Sequence, residues 1–103
     1  MDMFQERKWL LPYPIRPDRM RAFILDDEPP AARAIETLLR QHRGDFPVEV
    51  VGVSNHAAEA IELINELQPN VLFLDVEMPE YTGFDVLDRV NIENLMVVFI
   101  TAY

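Results

Sequence analysis

Cysteine is absent from this chain of 103 residues, which excludes a disulfide framework and any thiolate metal site. Basic residues are scarce. Nine Lys and Arg stand against 18 Asp and Glu, giving a formal net charge of −9 and a pI near 4.5. So acidic a chain opposes direct binding to phosphate backbones or to anionic membrane surfaces. Long apolar runs are also missing: the longest, Leu95 to Ile100, is far too short to cross a bilayer. The amino terminus carries Asp2 and Glu6 and lacks an apolar core of signal-peptide length. No internal repeat or low-complexity tract interrupts the chain. These absences set the expectation of a cytoplasmic segment that touches neither membrane nor nucleic acid directly.

What is present suits one small domain, since half of the residues are hydrophobic. Charge is unevenly distributed. Residues 1–19 hold Arg7, Lys8, Arg16 and Arg19 against Asp2, Glu6 and Asp18, so the acidic surplus lies in residues 20–103. Pro12, Pro14 and Pro17 forbid a regular helix in the first segment and favour extended geometry. Residues 1–19 therefore read as a proline-rich amino-terminal extension. Its Trp9, Leu10, Leu11, Tyr13 and Ile15 are apolar enough to dock on the domain or on a second copy, the alternative being an unstructured leader.

From Met20 the pattern is strand, helix, strand, helix, strand, helix, strand. Met20 to Leu25 is an apolar strand ending in Asp26-Asp27-Glu28, and Pro29-Pro30 opens a helix where missing amide hydrogens matter least. Ala31, Ala34, Ile35, Leu38 and Leu39 fall on one face of that helix, with Gly44 as its carboxyl-terminal cap. Val48 to Val53 is the second strand, and its Glu49 suits a sheet edge. Ser54 or Asn55 can cap the second helix, which turns Ala57, Ala60, Ile61, Ile64 and Leu67 inward. Val71 to Leu74 is apolar throughout, as a strand buried on both faces of a parallel sheet must be, and it delivers Asp75 to its carboxyl end. Phe84, Val86, Leu87 and Val90 mark a short third helix after the turn at Gly83, and Met96 to Ile100 is the fourth strand, leading to Thr101. Strands alternating with helices of crossover length make an α/β fold with a parallel sheet.

In such sheets ligands bind outside the carboxyl ends of the strands. Asp26, Asp27 and Asp75 would converge there if the first and third strands are neighbours. Like charges so close raise one another's pKa, and a cation is what keeps them ionised. All-oxygen ligands without His or Cys point to Mg²⁺ or a close substitute. A dication beside a carboxylate also serves phosphoryl transfer, in which an Asp oxygen attacks phosphorus to form an acyl phosphate.

Asp26-Asp27 after the first strand, Leu74-Asp75-Val76-Glu77-Met78-Pro79 after the third, the Gly83-Phe84 turn, and Phe99-Ile100-Thr101-Ala102 after the fourth resemble the receiver domain of bacterial two-component response regulators. The resemblance runs from Met20 to Tyr103. It implies a flavodoxin-like, doubly wound parallel sheet of order 2-1-3-4, in which the family's fifth strand and last two helices have no counterpart, so residues 20–103 form a partial receiver. It further implies that Asp75 is the phosphoacceptor for a histidine kinase, and that Asp26, Asp27, Asp75 and the Glu77 backbone carbonyl hold Mg²⁺. Thr101 and Ala102 take the places of the family's phosphoryl-contacting switch hydroxyl and its small neighbour. The opening Asp-Asp-Glu-Pro and the closing Phe-Ile-Thr-Ala-Tyr are most similar to regulators with a LytTR-type DNA-binding output, which would lie outside this chain. The family's lysine has no counterpart, because Lys8 is the only lysine; slow phosphorylation and self-association through the edge of the fourth strand are expected. Two rivals are a non-switching interaction module and an aspartyl-phosphate phosphatase of the haloacid dehalogenase type. The latter wants a second Asp two residues on, where this chain has Glu28 and Glu77.

Overall fold

The computed structural model describes residues 20–42, 44 and 47–100. Strand β1 (Met20–Leu25) leads to helix α1 (Pro29–Gln41), β2 (Val48–Ser54) to α2 (Ala57–Leu67), and β3 (Val71–Asp75) to α3 (Gly83–Arg89), with β4 (Met96–Ile100) following. Every strand pair is parallel and the order across the sheet is β2-β1-β3-β4. This is the α/β, flavodoxin-like arrangement expected. The proposed docking of residues 1–19 and the roles of Thr101 and Ala102 fall outside the described residues. Among the described residues no helix is long and apolar enough to cross a membrane.

The period-2 alternation of the two central strands builds a core on each face of the sheet. Phe23 and Leu25 of β1 and Leu72 and Leu74 of β3 join Ala60 and Ile64 of α2 and Val86 of α3, all fully buried. Ala22 and Val71 point the other way, to Val48 and to Leu39 of α1. Each fully buried Leu or Phe stabilises the fold by about 1.5–3 kcal/mol, so β1 and β3 form a rigid floor beneath whatever their carboxyl ends carry.

Three local expectations need correction. In α1 the apolar arc includes two stripes: Ala32 is buried and Leu39 packs on the core, while Ala34 is exposed and Leu38 is 54% exposed. The same helix closes at His42, whose N–H donates to the Leu38 carbonyl at 3.1 Å, so Gly44 lies beyond the cap. In α3 Phe84 is 59% exposed, because the seven-residue helix turns Val86 into the core. That helix also begins on a reciprocal cap: Thr82 Oγ1 accepts from the Asp85 N–H and Asp85 Oδ2 accepts from the Thr82 N–H.

Strand β2 pairs with β1 through a bulge. Ala22 lies beside Val50 but Phe23 lies beside Gly52, so Val51 is the extra residue. Gly52 packs against Phe23 so closely that a Cβ there would sit 2.6 Å from Phe23 Cε2. At the far end of α2, Gln68 takes a left-handed conformation with φ 52° and returns its N–H to the Ile64 carbonyl at 2.8 Å before Pro69.

Candidate functional site

Leu25 of β1 is paired with Leu74 of β3, so Asp26 and Asp75 arrive at the same level on adjacent parallel strands. Between these two strands the chain order reverses, and there the helices leave to opposite faces and open a crevice. Asp27 completes the group: one carboxylate oxygen from each of Asp26, Asp27 and Asp75 lies within 4.8 Å of the others. The three carboxylates expected to converge at this edge do so.

Backbone bonds fix two of the acids. Asp26 is 4% exposed. Its N–H donates to the Ser54 carbonyl at 3.2 Å, its Oδ1 accepts the Glu28 N–H at 3.0 Å, and its carbonyl accepts from Asn55 Nδ2 at 2.9 Å. Asp75 Oδ1 accepts the Glu77 N–H at 3.1 Å. The loop that follows is drawn onto the strand, with the Gly83 N–H on the Val76 carbonyl at 2.8 Å and Glu77 bridged to Thr82. A side chain at Gly83 would press its Cβ to 3.0 Å from the Asp75 carbonyl oxygen, so this close approach calls for glycine.

Burial pushes the Asp75 carboxyl up from its ordinary 3.8 to about 6; the Glu77 N–H opposes the rise, while hydrogen bonding to Asp27 and the charge and hydrogen bonding of Asp26 add to it. Three carboxylates held this close are short of positive charge. Only oxygen donors face one another, one acid is buried, and all three lie at or just past the ends of two adjacent strands, so the residues fit a hard dication such as Mg²⁺.

The Glu77 side chain is exposed and stands beside the carboxylate group, while its N–H supports Asp75. Glu28 likewise lends its N–H to Asp26 as the residue that precedes α1. Sequence reasoning missed Asn55 and Ser54, which it took for helix caps. His56 is the cap residue of α2 instead, and Ser54 Oγ is engaged with the His56 N–H at 3.1 Å and the Glu59 carboxylate at 2.7 Å. The polar pair at the end of β2 was the visible signal; its partner on another strand was not.

Comparison with known proteins agrees with this geometry. The response regulator receiver domain model matches residues 22–103. An uncharacterized response regulatory protein of Yersinia pestis is 39% identical over 85 residues, covering 82% of this chain and 34% of its own length. The transcriptional regulatory protein BtsR of Escherichia coli is 35% identical over the same span, again with 34% of its length covered. The chain thus spans about a third of the length of these relatives. Among solved structures, a DNA-binding response regulator of the LuxR family from Staphylococcus aureus superposes with a TM-score of 0.66 at 31% identity, over 82% of this chain and 70% of that one. On its sheet order, its acidic crevice and these matches, the chain belongs to the response regulator receiver domain family.

Proposed function

We propose that this receiver is a phosphorylation switch in which Asp75 accepts a phosphoryl group from a histidine kinase and Mg²⁺ is held by Asp26, Asp27, Asp75 and the Glu77 carbonyl. The observation that carries the reading is the convergence of the three carboxylate oxygens within 4.8 Å at the strand ends. Mg²⁺ would neutralise the acids and the incoming phosphoryl oxygens. Asp75 Oδ1 is engaged by the Glu77 N–H, which orients the carboxylate and leaves its second oxygen for attack. That oxygen forms the new O–P bond as the P–N bond of phosphohistidine breaks, the electron pair goes to the imidazole nitrogen, and solvent supplies its proton. Hydrolysis of the acyl phosphate by water later resets the switch. Apart from transferring and losing its own phosphoryl group, the domain acts on no separate substrate. Thr101 would meet a phosphoryl oxygen through its hydroxyl, with Ala102 leaving room beside it. The reading carries with it a cytoplasmic location and a transcriptional output outside residues 20–103.

Incubation of the chain with Mg²⁺ and a small-molecule phosphodonor, followed by intact mass, should show one added phosphoryl group that Asp75→Asn abolishes. A tag that survives Asp75→Asn overturns the assignment.

Self-association through β4 belongs to the same reading. Among the described strands β4 has a partner only on its β3 side, and Val98 and Phe99 are 38% and 41% exposed, Phe99 stacking at 5.4 Å on exposed Phe84. An apolar edge of this kind pairs with a second copy. Light scattering should show mass above the monomer as concentration rises, and a monomer throughout removes this part of the proposal.

A further inference from the structure

The carboxylates of Asp26 and Asp27 are linked by one peptide unit, and the oxygen of that unit is the Asp26 carbonyl. Asn55, from the loop after β2, donates its Nδ2 hydrogen to this oxygen at 2.9 Å. The other side of Asp26 is pinned by its N–H on the Ser54 carbonyl. Ser54 is itself 3% exposed and tied by its hydroxyl to Glu59 of α2. The loop bearing Asn55 is therefore anchored independently of the acids, and its amide is a fixed donor.

We propose that Asn55 is a positioning residue for the acidic site: by holding the plane of the Asp26–Asp27 peptide it keeps both carboxylates turned toward Asp75, in the arrangement that a hard dication requires. The physical need is plain. Three like charges within 4.8 Å repel, and Asp27 can relieve that repulsion by rotating its peptide plane outward. Asp26 cannot follow, because its Oδ1 is held by the Glu28 N–H. Asn55 opposes the rotation from outside the cluster, and being neutral it does so without adding to the negative charge. Losing a partner of this outer kind typically costs about 10–100-fold in metal affinity.

This inference rests on the receiver reading, and the test separates the two. Mg²⁺ is titrated into the metal-free chain while backbone amide resonances are followed by NMR, for the parent, Asn55→Ala, Asn55→Ser and Asn65→Ala. The serine variant keeps a polar loop residue whose hydroxyl is too short to reach the Asp26 carbonyl. Asn65→Ala is the control, since it removes a comparable bond to a backbone carbonyl, that of Arg89, at the opposite end of the sheet. The expected result is about tenfold weaker Mg²⁺ binding in the Asn55 variants, with Asn65→Ala unchanged. Unchanged affinity in a folded Asn55 variant, or an equal loss in Asn65→Ala, overturns the positioning role while the receiver reading stands. A parent chain whose resonances do not respond to Mg²⁺ overturns both.

Discussion

The two ends of this sheet are joined by opposite kinds of chemistry. At the carboxyl ends three acids face one another, and burial, with smaller contributions from Asp27 and Asp26, raises the pKa of Asp75. At the amino ends the same job is done by neutral amides that satisfy each other. Asn70 Oδ1 accepts the Arg21 N–H at 2.7 Å, Gln68 Nε2 reaches the carbonyls of Asn65 and Asn91, and Asn65 bonds both Arg89 and Asn91. The carboxyl end keeps unneutralised charge, a condition that costs stability in the free protein and is useful only when a cation or phosphoryl group arrives.

The largest expected effect separates the ends completely. Asp75→Asn abolishes phosphoryl uptake, whereas Asn65→Ala leaves the mass tag intact; loss of the tag in Asn65→Ala would show that the ends are not independent. Next in size is the stability of Asn65→Ala itself, which strands the Asn91 N–H and the Arg89 carbonyl. A loss of about 1 kcal/mol is expected in urea denaturation, and an unchanged midpoint would show that solvent replaces the amide lattice freely.

The smallest effect is a pH slope. Because the folded chain holds the Asp75 proton up to about 6 while the unfolded chain releases it near 3.8, the native state binds more protons between those values. Stability contributed by Asp75 is therefore greatest below the lower value, declines as pH rises through the window, and is level above it. Solvent screening of this partly exposed group holds the effect to about 1 kcal/mol or less. Denaturation of the metal-free chain across the window should show a steeper decline in the parent than in Asp75→Asn, and parallel curves would deny the raised pKa of Asp75.

Much of this was legible in advance. Apolar runs ending in acids placed Asp26, Asp27 and Asp75 on one edge, since strand identity, parallel pairing and the position of a carboxylate after its strand all follow from the local pattern. Where pattern was ambiguous, the reading slipped. Helix α1 offers two apolar stripes, and only the sheet decides between Ala32 and Ala34. Phe84 is apolar yet largely exposed, a fact set by how far a seven-residue helix can turn inward. Asn55 shows the deeper limit. An Asn after a strand predicts a cap or a turn from local chemistry, and its bond to Asp26, 29 positions earlier, depends on which strands become neighbours.

The bulge in β2 bears on the site although it lies out on the sheet's edge. By inserting Val51 the strand changes phase midway: Val48 and Val50 serve the layer beneath α1, while Gly52 and Ser54 serve the layer beneath α2. A strand in unbroken alternation would put Val51 beside Phe23 and send Ser54 to the wrong side of the sheet, away from Glu59. The half-step in the edge strand therefore works as a clock for the loop that follows, and the hand it sets is Asn55. Gly52, lying under the Phe23 ring with no room for a methyl group, guards that timing.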